Sequence, residues 1–205
     1  MSVKIKICGI TNLADALAAS DAKADMIGFM FYEGSKRHIT VEAAEGISRQ
    51  IRPDILRVGV FVNPTEELVK TAIQRCGLGL LQFHGQEPPK FCRRFGVMSM
   101  KAFRIKDASS LKSIPEYDTD AYLLDSYVSG QVGGTGEKFN WEIAAEAAKF
   151  GRPIFLAGGL TPQNVVQAIQ SATPFAVDVS SGVESAPGKK DSKKIREFIN
   201  AARSV

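Results

Sequence analysis

Val3, Ile5 and Ile7 alternate with Lys4 and Lys6 and run into Cys8, Gly9, Ile10 and Thr11, the period-two pattern of a strand that ends at a cysteine. Apolar runs of strand length recur to the end of the chain, separated by stretches of helical periodicity. They predict eight strands: Lys4 to Cys8, Met26 to Phe31, Leu56 to Val62, Gly79 to His84, Met100 to Arg104, Ala121 to Asp125, Ile154 to Ala157 and Ala176 to Val179. The runs are short and mostly apolar on both faces, which suits parallel strands covered by helices. Leu13, Leu17 and Ala18 mark the first helix, Leu68, Ala72 and Ile73 the third, and Ile143, Ala147 and Ala148 the sixth. Ile195, Phe198, Ile199 and Ala202 give the last helix an i, i+3, i+4, i+7 stripe. Helix starts are read at Thr11 or Asn12, at Asn63-Pro64-Thr65 and at Thr161-Pro162. The fifth helix, around Ala108 to Ile114, is expected to end early at Pro115.

Eight consecutive strand–helix units predict an α/β fold of the (β/α)8 TIM barrel type, with residues 1–205 as a single domain. The length implies short loops against the usual plan of about 250 residues. An open doubly wound sheet is the alternative. A chain that is 44% hydrophobic and 23% charged supports one sizeable core without staples.

Cys8, Cys76 and Cys92 are odd in number, widely spaced and free of CxxC pairing, so free thiols in a reducing compartment are expected. Lys4 and Lys6 interrupt the first apolar stretch and no long hydrophobic segment follows, so neither a signal peptide nor a membrane partner is expected. A cytoplasmic location follows as the expectation. The formal net charge of +4 is mild, and a nucleic-acid partner is not expected. The one basic cluster, Lys189, Lys190, Lys193, Lys194 and Arg196, reads as the solvated face of the last helix.

Chemistry in such barrels sits at the carboxyl ends of the strands. Gly9 lets the chain turn sharply after Cys8, and a thiol held at that mouth can exchange protons with a ligand; a buried, inert cysteine is the competing reading. The seventh strand is followed by Ala157-Gly158-Gly159-Leu160, the eighth by Ser180-Ser181-Gly182-Val183-Glu184. Glycine amides, serine hydroxyls and a helix N-terminus together make a phosphate cradle where barrels of this type keep theirs. The sixth strand ends in Asp125-Ser126, a carboxylate facing the cavity across from Cys8 or else a turn residue. Gly133 to Gly136 (GGTG) reads as a mobile cover that excludes water or as a disordered connection. His84 and Asp178 also end strands; His84 either reaches the mouth or holds neighbouring loops, and Asp178 either orients substrate hydroxyls or braces its strand. Trp141 reads as packed under the sixth helix, and Cys76 and Cys92 as ordinary helical thiols.

KICGIT at the start, Gly28 to Phe31, Ser35-Lys36-Arg37, VGVFVN at Val58 to Asn63, LQFHG at Leu81 to Gly85, LLDS ending at Ser126, GGTG with Phe139-Asn140-Trp141, LAGGL and DVSSGVE with SAPGKKD together resemble phosphoribosylanthranilate isomerase over nearly the whole chain. Lys36 and Phe83 depart from the residues often found there, proline and leucine, and neither change removes a reactive group. Lys36 leaves the placement of the Arg37 guanidinium open. The resemblance implies a (β/α)8 barrel of tryptophan biosynthesis that converts N-(5-phosphoribosyl)anthranilate to 1-(o-carboxyphenylamino)-1-deoxyribulose 5-phosphate. It implies a small phosphorylated substrate and no metal or organic cofactor; a monomer and a homo-oligomer both stay open.

That Amadori rearrangement needs one acid and one base, and the implied assignment is Asp125 as general acid and Cys8 as general base. Each needs its ionisation shifted, the thiol by nearby positive charge and the carboxyl by burial. Arg37 is the expected partner of the anthranilate carboxylate, since its planar fork matches carboxylate oxygens. Two rivals remain at this stage. A histidine-pathway isomerase with an aminoimidazole substrate is disfavoured by Cys8, where that relative is expected to carry aspartate. A non-catalytic phosphate-ligand binder would need neither Cys8 nor Asp125.

Overall fold

A computed structural model describes residues 2–125 and 141–205, with the side chains at 141 and 142 excepted. Ser126, the GGTG stretch, Phe139, Asn140 and the Trp141 side chain lie outside the described residues.

The strands β1 (Lys4–Cys8), β2 (Met26–Met30), β3 (Leu56–Phe61), β4 (Leu80–Phe83), β5 (Met98–Arg104), β6 (Ala121–Asp125), β7 (Ile154–Ala157) and β8 (Ala176–Val179) form one closed parallel barrel. Closure is direct, because β1 pairs with β2 through Cys8 and Gly28 and with β8 through Lys6 and Asp178. An open sheet is thereby excluded. Around the barrel run α1 (Leu13–Asp21), α2 (Val41–Ser48), α3 (Glu66–Cys76), the short α4 (Pro89–Cys92), α5 (Trp141–Ala147), α6 (Val165–Ala172) and α7 (Ser192–Arg203). Among the described residues no helix is long and apolar enough to cross a membrane.

Two apolar layers follow from the two-residue period of the strands. Ile5, Ile7, Ile27, Phe29, Leu81, Phe83, Leu124 and Leu156 point outward and pack with the buried helix positions. Met26, Val58, Leu80, Met100, Leu123, Phe155 and Ala176 fill the interior. The interior phase continues to the carboxyl ends, and there it changes character: Lys6 and Cys8 on β1, Gln82 on β4, Asp125 on β6 and Asp178 on β8 share it. A polar floor therefore caps an apolar plug, as the location of barrel active sites requires.

Local chemistry explains the turns. Asn12, not Thr11, caps α1 by accepting from the Asp15 amide, while the Thr11 hydroxyl donates to the Gly188 carbonyl. Thr65 caps α3, which stops at Gly77 in the left-handed region. Strand ends differ from the sequence reading by one or two residues at β2 to β5.

Three expectations need correction. The segment Ala108–Glu116 is a 3-10 helix rather than an α-helix, and Pro115 lies inside it. The tighter helix places Pro115 in the last turn, where its missing N–H disrupts little. Thr161-Pro162 belongs to a turn closed by Asn164, whose side chain accepts from the Thr161 amide, and α6 begins only at Val165. The basic cluster does not share one solvated face. A hairpin of β9 (Glu184–Ala186) and β10 (Lys189–Lys190) precedes α7, and Lys190 is buried within it against Glu184.

Phe198 is fully buried on the inner face of α7. Phe198→Ala is expected to cost about 3–5 kcal/mol, read as a lower urea midpoint with an unchanged slope.

Candidate active site

The barrel mouth is built from side chains that the strand register brings together. Cys8 ends β1, and Gly9, at φ +74°, takes the chain away in a left-handed turn. A Cβ on Gly9 would lie 2.6 Å from Cδ of Arg37 and 3.1 Å from Oγ of Ser180, so this turn is where the loops after β2 and β8 meet β1.

Below the sulfur sits Lys6, fully buried, with Nζ 2.9 Å from Oδ1 of Asp178. Gly28 on β2 leaves room for both groups. A Cβ there would stand 2.9 Å from Sγ of Cys8 and 3.2 Å from Nζ of Lys6. Burial pushes the Cys8 thiol up from its ordinary 9.0, and the Asp178 charge acts in the same direction; the Lys6 and Lys190 ammonium groups pull it down. Burial disfavours the Lys6 cation, but Asp178 and Cys8 more than compensate, so Lys6 stays an ammonium.

Asp125 ends β6, in register with Arg104 of β5 and Ala157 of β7. Its Oδ2 lies 3.2 Å from Nε2 of His84, and Nδ1 of His84 lies 3.0 Å from the Gln82 amide nitrogen. His84 thus bridges the Gln82 side chain and Asp125, and its tautomer sets which ring nitrogen donates. His84 also has a braced loop beyond it: the buried Glu87 carboxylate accepts from the amides of Asn63 and Gly85 and from Nζ of Lys101 at 2.7 Å. That loop has little freedom to move the imidazole.

Gly158 and Gly159 have φ of +91° and +63°. Gly182 packs against the same loop, and a Cβ on it would be 1.9 Å from the Leu160 carbonyl oxygen. The two glycine loops are thus in close backbone contact, which a side chain at position 182 would disrupt. Ser181 is exposed and Ser180 half-buried, with Lys190 Nζ 3.3 Å from the Ser180 hydroxyl. Because α6 starts at Val165, the backbone nearest Gly158 and Gly159 is a turn rather than a helix N-terminus.

Arg37 is not an unengaged guanidinium. Its Nε and Nη2 grip the two oxygens of Glu184 at 2.7 Å each, and Glu184 also accepts from Lys190 at 2.9 Å. The fork that sequence reasoning reserved for a substrate carboxylate is therefore half occupied, and what faces outward is the remaining Nη edge.

Comparisons with known proteins place the chain in a family. A family profile described as "N-(5'phosphoribosyl)anthranilate (PRA) isomerase" matches residues 5–201. The chain belongs to the N-(5'-phosphoribosyl)anthranilate isomerase family. Isomerase activity in tryptophan biosynthesis goes with that membership. Among its relatives, the enzyme of that name from Geobacter sulfurreducens is 53% identical over 201 residues, covering 98% of each chain. The one from Trichlorobacter lovleyi is 51% identical over 203 residues, covering 99% of each chain. The phosphoribosyl anthranilate isomerase structure from Thermotoga maritima superposes with a TM-score of 0.91 at 40% identity, covering 99% of this chain and 100% of that one. Another isomerase structure, in complex with reduced 1-(o-carboxyphenylamino)-1-deoxyribulose 5-phosphate, has a TM-score of 0.88 at 39% identity with the same coverage.

Reading the isomerase sequence alone missed Lys6, Gln82, Glu87, Lys101, Glu184 and Lys190 as parts of the mouth. The first two carry a usable signal, since each stands in the same strand phase as a strand-end candidate, two residues before Cys8 and His84. The others are joined across loops, which spacing does not reveal.

Burial works against the Glu184 carboxylate, yet bonds from Arg37 and Lys190 hold its titration below the ordinary 4.5. A depressed carboxylate stabilises the fold above its unfolded-state value and loses that contribution as pH falls through the lowered one. Glu184→Gln is therefore expected to decline less in urea midpoint than the native isomerase as pH drops below 4.5.

Proposed function

We propose that this isomerase works with Asp125 as general acid and Cys8 as general base on a phosphosugar held by Gly158, Gly159, Ser180, Ser181 and Gly182. The observation that carries the reading is the shared strand phase: both groups end parallel strands and point into one mouth from separate parts of its rim.

The chemistry then runs in two stages. Asp125 gives a proton to the ring oxygen of the ribose, the C1–oxygen bond breaks, and the anilino nitrogen supplies the electron pair that forms the iminium. The proton delivered is the carboxyl proton of Asp125, and His84, with Nε2 3.2 Å from Oδ2, orients that carboxyl. The C2–H bond next breaks toward the Cys8 thiolate, and its electrons neutralise the iminium to give an enolamine. Protonation at C1 and loss of the enol proton complete the ketone, so the net change is an isomerisation. Burial favours the protonated sulfur in the free enzyme; as the positive iminium forms in the same pocket the thiol releases its proton to solvent, and the anion that remains takes the proton from C2.

The outward Nη edge of Arg37, anchored by Glu184, receives the anthranilate carboxylate. His84 and Asp178 act as substrate-side supports through their partners Asp125 and Lys6. The substrate is a small phosphorylated molecule, and the reading requires no cofactor. Residues 1–205 work as one domain, monomer or homo-oligomer, and the three unpaired cysteines favour a reducing cytoplasm.

Cys8→Ala and Asp125→Asn are each expected to lower kcat by about 10²–10⁴-fold with little change in KM. Near-native turnover in either variant, followed by loss of anthranilate-type fluorescence, would remove that residue from the mechanism. Gly182→Ala must push the two anion loops apart and is expected to raise KM by about 10–100-fold, the worth of one or two charge-assisted hydrogen bonds. An unchanged KM and an unchanged inhibition by inorganic phosphate would place the phosphate elsewhere.

A further inference from the structure

We propose that Lys6 is the positioning residue for the Cys8 sulfur, its buried ammonium acting as counter-ion and hydrogen-bond donor to the thiolate from beneath the reaction site. The inference rests on Cys8 as the base and adds what makes a buried sulfur usable as one.

Three observations on geometry carry it. Lys6 and Cys8 are two residues apart on β1 and so share the interior phase, one directly below the other. Gly28, the register partner of Cys8, lacks the side chain that would occupy the space between them and the barrel axis; a Cβ there would crowd Sγ and Nζ at 2.9 and 3.2 Å. Lys6 is also sealed from solvent, with Asp178 bound at 2.9 Å, so its charge acts on the sulfur with little screening.

The groups facing Cys8 are Lys6 on its own strand, Asp178 on β8, Lys190 on β10 with its partner Glu184 on β9, and Arg37 after β2. Lys190 and Arg37 are shared with Glu184, which offsets much of their charge. Lys6 differs from them because it stands on the same strand phase as Cys8 and its Nζ borders, with Sγ, the space that Gly28 leaves open. It does not reach the substrate, since Cys8 lies between it and the mouth. Its part is to offset, for one atom, the burial that would otherwise leave the thiol inert.

The test titrates the sulfur in the free enzyme, where substrate binding plays no part. In a Cys76→Ser, Cys92→Ser background, the rate of iodoacetamide alkylation at Cys8 is followed against pH, with the modified residue located by mass spectrometry. Lys6→Met is expected to move the profile up by ~1 pH unit or more, the usual effect of losing an adjacent opposite charge. Asp178→Asn is expected to move it down, because the ammonium then faces the sulfur alone. The double variant Lys6→Met, Asp178→Asn removes the buried pair together, so it keeps a neutral interior if Lys6→Met alone fails to fold, and it is expected to shift the profile up by less than the single change. In the same variants, kcat should fall where the profile rises. A profile unmoved in the double variant, or an upward shift in Asp178→Asn, would overturn the proposal, because a purely structural lysine predicts no opposition of sign. Full turnover of Cys8→Ala would instead refute the base assignment and leave this titration as it stands.

Discussion

The ion pair of Lys6 and Asp178 lies where the first and last strands meet, and the barrel cannot close without burying it. Removing two charges from water costs several kcal/mol per ion, and only close pairing with further hydrogen bonds offsets that cost. The pair sits in register, Lys6 opposite Asp178, so a slip of β8 against β1 would leave both charges buried and alone. One contact therefore fixes closure, register and the charge beneath Cys8.

Around this seam the isomerase repeats the device with different partners. Glu87 and Lys101 hold the loop that carries His84, and through His84 they fix the direction of Asp125. Glu184 and Lys190 hold Arg37 and the serine loop after β8. Each buried lysine is thus matched with one component of the mouth: Cys8, the His84–Asp125 pair, and the loops after β2 and β8. Because buried polar networks with their partners in place rigidify what they join, the mouth keeps its geometry without strong demands on the surface loops. Side chains held this way lose little freedom when a ligand arrives.

Much of the scaffold was legible from residue order. Strands β1, β6, β7 and β8 were read to the residue because apolar runs there end sharply in Cys8, Asp125, Ala157-Gly158 and Val179-Ser180. The same endings pointed to Cys8, Asp125 and the glycine loops as groups at the barrel mouth. The ion pairs were not legible, for a physical reason. Lys6 looks like the solvent side of an amphipathic strand, but a barrel wrapped in helices has no solvent side, and its polar phase points inward. Its partner lies 172 residues away in sequence. Lys190 was hidden by its basic neighbours, since charge runs carry no mark of which member a hairpin buries. Pro115 misled because a 3-10 turn tolerates what an α-helix does not.

One spatial relation is central to the proposed chemistry: a sulfur and a carboxyl approach one sugar from different parts of the rim while its phosphate rests on the glycine loops. A crystal structure with reduced 1-(o-carboxyphenylamino)-1-deoxyribulose 5-phosphate tests it most directly. The expected complex has the phosphate against Gly158, Gly159 and Gly182, Sγ of Cys8 within about 4 Å of C2, and Asp125 within hydrogen-bond distance, roughly 3 Å, of the oxygen on C4. A ligand with its phosphate elsewhere, or with C2 turned away from Cys8, would contradict it.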